Sequence, residues 1–234
     1  MNQYTYLLFD LDDTLWNFKE NSKEALQNIF DDYQLQRYYP TFEDYFSNFE
    51  EHNKALWNLY GRQQITKEFL SVERFLAPLR PFGILNASLA SEMGSAYLDR
   101  CAEKTLVMPH AFETLRYLSK KYQLAIISNG FEEVQYRKIE RSGLTDFFSN
   151  IFLSEKIGCH KPDPEFFNRV LTNLSASPNE CLVIGDNFQT DIVGAMKAGI
   201  DQVFYNPEHL DERTDFPEMP TYTIDDLALL MNIL

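Results

Sequence analysis

The chain has 234 residues, 44% hydrophobic and 15% aromatic, which is enough apolar material for a packed core and too much for a disordered chain. Its 21 Lys and Arg face 35 Asp and Glu, and the resulting charge of −14 repels phosphate backbones, which excludes nonspecific binding of nucleic-acid polymers. Any anion the chain handles must meet positive charge concentrated locally, from a metal, a lysine or a helix N-terminus.

In chain order, the first predicted element is a buried strand over Tyr4–Phe9, an apolar run that ends at an acid. The interval 17–105 then contains no convincing strand. Helical spacing recurs there over Ser22–Tyr33, Thr41–Tyr60, Thr66–Leu79 and Leu85–Glu103. An interval of that length is no ordinary crossover, so it reads as a helical cap (17–105) inserted into a core of residues 1–16 and 106–234. Beyond it, strands and helices alternate. Strands are expected at Gln123–Ile127, Ile151–Leu153, Cys181–Ile184, Gln202–Tyr205 and, more weakly patterned, Tyr222–Ile224. Between them come helices over His110–Lys121, Phe131–Ser142, Pro164–Leu174 and Asn187–Ala198, with Pro109 leading the first and Gly143 and Gly199 closing the second and fourth. The expected fold class is α/β: a Rossmann-like open parallel sheet with helices on both faces, plus an all-helical cap.

Three widely spaced cysteines, Cys101, Cys159 and Cys181, form neither a disulfide framework nor a zinc motif. No apolar run approaches the roughly 20 residues needed to span a bilayer, and an acid arrives too early for a signal peptide. A cytoplasmic protein that contacts no membrane is expected.

Four strand ends carry the candidate chemistry. Leu7–Leu15 places Asp10, Asp12, Asp13 and Thr14 just after the first strand, where open α/β sheets bind ligands. Acids there are equally common as turn formers and helix caps. Ile126–Gly130 ends the second strand in Ser128 and Asn129 ahead of a helix, a setting that suits either a phosphate or an ordinary N-cap. Gly158–Pro164 sets Lys161 in a loop before another helix, and Val183–Asn187 ends a strand at Asp186, with Asp191 following in the next helix's first turn.

Taken in this order, the four segments resemble the haloacid dehalogenase (HAD) superfamily: D-x-D-x-T, a hydrophobic strand ending in Ser or Thr, a Lys, then G-D with a further acid. The resemblance runs from Tyr4 to the C-terminus and includes the insertion point of a helical cap. It implies that Asp10 is a nucleophile that becomes phosphorylated and that Asp12 is the acid and base for leaving group and water. It further implies that Mg²⁺ is held by the Asp10 carboxylate, the Asp12 carbonyl and Asp186. Ser128, the Asn129 amide and Lys161 would hold the phosphoryl oxygens. Thr14 is grouped with the substrate-binding residues and tightens the first turn, and Asp191 orients Lys161 or a metal-bound water. Relatives that cleave carbon–halogen or carbon–phosphorus bonds lack the second acid. Its presence as Asp12 favours a phosphate-ester substrate and leaves a mutase, or a noncatalytic phosphate-binding protein on the same fold, as minor alternatives.

Two departures stand out. Many relatives carry Gly where this chain has Asp13, and Pro-Gly where it has Pro109–His110; His110 reads as a first-turn helix residue, not a catalytic one. His160, in the loop beside Lys161, reads as structural. Leu56–Gly61, Ile65–Thr66, Glu73–Phe75, Asn129–Phe131 and Arg141–Leu144 resemble the nucleotidase branch that acts on pyrimidine monophosphates, with sugar-phosphate or phosphoglycolate hydrolysis as the rival. Trp16, Phe18, Trp57 and Tyr60 could stack a base or form the cap's own core. Arg74 reads either as a substrate contact or as an exposed helical arginine. The cap is expected to move on linkers near Asn17 and Thr105–Pro109.

Overall fold

A computed structural model describes residues 4–209 and 219–234. The chain divides into two compact units, one running to Phe18 and resuming at Thr105, the other Lys19–Lys104. In chain order the elements are β1 (Tyr6–Phe9), α1 (Phe18–Asp32), α2 (Phe42–Gly61), α3 (Lys67–Leu76), α4 (Ala87–Ala102), α5 (Ala111–Leu118), β2 (Gln123–Ser128) and α6 (Glu132–Arg141). They continue with β3 (Asn150–Leu153), α7 (Ser154–Ile157), α8 (Pro164–Leu174), β4 (Cys181–Gly185), α9 (Val193–Lys197), β5 (Asp201–Tyr205), β6 (Tyr222–Ile224) and α10 (Leu230–Ile233).

Among the described residues the sheet has six strands in the order β3-β2-β1-β4-β5-β6, all parallel. The central strands are apolar on both faces, and Leu7, Leu8, Phe9, Leu182, Val183 and Ile184 are fully buried or nearly so. Leu8, Ile127 and Val183 pack with Phe166, Phe167 and Val170 of α8 on one side. The chain leaves β1 towards β2 and β3, then returns to the other side of β1 as β4. That reversal opens a crevice at the carboxyl ends of β1, β2 and β4.

The two crossings between the units lie side by side on the core. Trp16 bridges Val107 antiparallel, Asn17 N–H donates to the Leu106 carbonyl (3.1 Å), and Met108 N–H donates to that of Leu15 (2.8 Å).

In the helical unit, Thr41 and Asp44 form a capping box for α2, while Thr66 and Asn86 cap α3 and α4. Phe49, Phe75 and Tyr97 make its aromatic centre, with ring centroids 5.0–6.0 Å apart.

Two predicted helices differ in detail. The one expected over Thr66–Leu79 stops at Leu76 and tightens into a 3₁₀ segment, Ala77–Phe82, because Pro78 and Pro81 have no N–H to donate. The one expected over Asn187–Ala198 starts as a π-helical turn, Phe188–Ile192. There the Asn187 side chain accepts from the N–H groups of Gln189 and Thr190, and Asp191 folds back onto the Asn187 N–H. No described helix is long and apolar enough to cross a membrane.

Candidate active site

Asp10 follows β1 directly, its N–H bonded to the Ile184 carbonyl of β4 (2.8 Å), which pins it at the sheet's centre. Lys161 arrives from the loop before α8 and is almost wholly buried. Its three ammonium protons meet Asp10 Oδ1 (2.6 Å), Asp191 Oδ1 (2.6 Å) and the Ile127 carbonyl (3.0 Å). The loop is held by Asn129, whose side-chain amide donates to the Lys161 carbonyl (2.8 Å) and accepts from its N–H (2.9 Å). Asn129 thus ties Lys161 to the end of β2, a role its sequence position did not signal.

Oxygens of Asp10, Asp186 and Asp191 come within 4.8 Å of one another. Burial lifts the Asp10 carboxyl to about 7; Lys161 pulls it down, and Asp191 and Asp12 push it up. Burial, with Asp10 and Asp191, also raises Asp186 well above the carboxylate range. For Lys161, burial acts downward, but the Asp10 and Asp191 carboxylates outweigh it and raise the ammonium above its usual value. Crowded, desolvated carboxylate oxygens suit a hard divalent cation such as Mg²⁺. Asp10 and Asp186 are the better donors, because Asp191 already serves Lys161 and the Asn187 N–H.

Thr14 lies against Asp186. It is fully buried, its hydroxyl donates to Asp186 Oδ1 (2.8 Å) and accepts from the Asp186 N–H (3.0 Å). It therefore positions Asp186.

Ser128 accepts from the Gly130 N–H (3.1 Å) and from Gln135 Nε2 (2.6 Å), which leaves its own proton to donate. Asp12 is clasped from α6: Lys138 Nζ reaches its Oδ1 (2.7 Å) and Gln135 Nε2 its Oδ2 (2.8 Å). Sequence reading passed over Gln135 and Lys138. Their only signal is that two polar residues share the inward arc of α6 with Val134 and Ile139.

Some readings are revised. Arg74 is buried, not exposed, and stacks over Tyr97 (5.0 Å) and Phe75 (5.5 Å). Trp16 lies within the core as expected for residues 1–16, Phe18 falls in the same compact unit, and Trp16 is buried under Lys138 (4.2 Å to its centroid). Tyr60 is buried edge-on against the half-buried Trp57. His110 sits one residue before α5 with φ 59° and pairs through Nδ1 with Asp226 (2.8 Å).

The family model described as haloacid dehalogenase-like hydrolase matches residues 7–205. The HAD-hydrolase YfnB of Bacillus subtilis is 32% identical over 237 residues, spanning 100% of this chain and 97% of its own length. The pyrimidine 5'-nucleotidases PynA of Streptococcus pneumoniae and YjjG of Escherichia coli are 30% and 29% identical, each over 99% of this chain and over 95% and 98% of their own. The solved structure of YfnB bound to magnesium, which reveals interdomain movement, superposes with a TM-score of 0.88 at 31% identity over 99% of both chains. With this family match, and with strand-end acids, lysine and serine gathered at the switch point of its sheet, the chain belongs to the haloacid dehalogenase-like hydrolases.

Proposed function

We propose that this protein hydrolyses small phosphate monoesters through a phosphorylated Asp10, and that pyrimidine nucleoside monophosphates, deoxy forms included, are its substrate class. The observation that carries the chemistry is the convergence of Asp10, Lys161, Ser128 and Asp186 at the ends of β1, β2 and β4, with Asp12 two residues along. The substrate class rests on likeness to the two nucleotidases.

In the first displacement an Asp10 oxygen bonds to phosphorus as the bond to the ester oxygen breaks, and Asp12 gives its proton to the departing alkoxide. In the second, Asp12 takes a proton from water, whose oxygen displaces Asp10 and releases inorganic phosphate. Lys161 holds Asp10 and supplies positive charge to the phosphoryl group, while the Ser128 hydroxyl donates to one of its oxygens. Mg²⁺, held by Asp10, the Asp12 carbonyl and Asp186, would offset the repulsion between an anionic nucleophile and an anionic ester. Thr14 keeps Asp186 in place, and Asn129 and Asp191 keep Lys161 in place.

The test is phosphate release with Mg²⁺ from uridine, deoxyuridine, thymidine and adenosine monophosphates, phosphoglycolate, sugar phosphates and p-nitrophenyl phosphate. Asp10→Asn is expected to lose activity by on the order of 10³-fold or more. A preference for sugar phosphates would keep the chemistry and discard the substrate class. No release from any ester would sink the reading.

A further inference from the structure

Helix α6 sends two polar side chains inward, out of solvent, that bond Asp12 and stand outside the Asp10, Asp186 and Asp191 cluster. Gln135 is 0% exposed and Lys138 3%. Three residues apart, they share one face of the helix. Lys138 lies between its carboxylate partner and two rings: its Nζ is 2.7 Å from Asp12 Oδ1, 4.2 Å from the Trp16 centroid and 5.1 Å from that of Phe18. Gln135 Nε2 divides its donors between Asp12 Oδ2 and Ser128 Oγ. Both oxygens of Asp12 are thus held, and the same amide links Asp12 to the serine at the end of β2.

The backbone is shaped around this arrangement. A Cβ on Gly130 would fall 2.3 Å from Gln135 Nε2, so a larger residue there would shift the amide from its present place. Trp16, which floors the lysine, is itself bridged to both Asp12 and Val107. A lysine buried only for stability would be an expensive choice, because a desolvated ammonium costs more than an apolar side chain of its size.

We propose that Lys138 and Gln135 are positioning residues for Asp12: they set where its carboxylate stands for proton transfer and keep it in register with the Ser128 hydroxyl. This rests on the phosphatase reading above. Neither residue touches substrate. Their effect is specific to esters whose leaving group needs a proton.

The experiment compares kcat/KM for uridine 5'-monophosphate, an alkyl ester, with that for p-nitrophenyl phosphate, whose phenolate departs readily without one. This ratio reports steps only through leaving-group departure, so later hydrolysis of the aspartyl-phosphate does not blur it. Lys138→Met, which keeps the packing on Trp16, is expected to lower the alkyl-ester value by about 10²-fold and the aryl-ester value by less than about fivefold. Asp12→Asn should show the same imbalance. Lys138→Arg, which restores charge and stacking, should bring the alkyl-ester value back to within about tenfold of wild type. Gln135→Met should shift it in the same direction as Lys138→Met. Equal losses on the two esters, or an undiminished alkyl-ester rate in folded Lys138→Met, would overturn the proposal while leaving the phosphatase reading intact. Failure of the wild-type chain on these two esters and on every other ester of the panel would instead remove the reading itself.

Discussion

Asp13 and His110 have φ of 60° and 59°, in the left-handed region where a Cβ crowds the following carbonyl. These are the two positions at which the family resemblance leads to an expectation of glycine, and the left-handed backbone gives a physical reason for glycine there. Asp is one of the few side chains that enters this region at modest cost, so the first motif keeps its turn while gaining a negative charge that raises Asp186 further. Asp13→Gly is therefore expected to fold with stability within about 1 kcal/mol of wild type, whereas Asp13→Val should lose about 1–2 kcal/mol or more. Urea unfolding of the two variants checks this, and equal stability of both would show that the turn carries no such strain. Gly185 shows the converse constraint, since a Cβ there would fall 2.4 Å from Asp191 Oδ2, which accepts from the Asn187 N–H, and displace the carboxylate that holds Lys161 through Oδ1.

At the scale of elements, α3 presents the sharpest contrast with expectation. Its Arg74 faces Tyr45, Tyr97 and Cys101 without a carboxylate among them, and burial lowers its pKa. Nε and Nη2 are buried with no hydrogen-bond partner among the described residues. The rings of Tyr97 and Phe75 offset part of the desolvation, while Glu73, the neighbouring acid, is engaged by Arg80. Replacing such a charge by an apolar side chain of similar length removes a desolvation cost, whereas truncation opens a cavity. Arg74→Met should thus leave stability unchanged within about 1 kcal/mol or raise it, and Arg74→Ala should lower it by about 2–4 kcal/mol. A loss of comparable size in both variants, read by chemical denaturation, would show that the guanidinium is itself stabilising.

For the molecule as a whole, a charge of −14 coexists with a cluster of buried carboxylates, so cations can stabilise it by general screening or by binding at one place. The site reading predicts the second. Millimolar Mg²⁺ should raise the thermal midpoint of the wild-type chain by several degrees beyond NaCl of equal ionic strength. Asp186→Asn should lose most of that excess. An equal rise in both proteins would reduce the effect to screening and remove the case for a specific magnesium site.

The primary structure alone determined the alternation of strands and helices, the long helical stretch after the first strand and the order of the strand-end motifs. Each of these is written locally, in hydrophobic period and turn chemistry. The helix expected over Pro164–Leu174 has those same bounds in the structure, set by Pro164 at its first turn and the Asp163 cap. Tertiary structure alone decided which side chains meet. Thr14 bonds Asp186 across 172 positions, Asn129 holds the Lys161 loop across 32, and Gln135 and Lys138 reach Asp12 across more than 120. On a helix, an inward lysine and a solvated one carry the same local signal. Only the approach of α6 to Asp12, Ser128 and Trp16 turns that lysine, and Arg74's own packing turns that arginine, into buried charge.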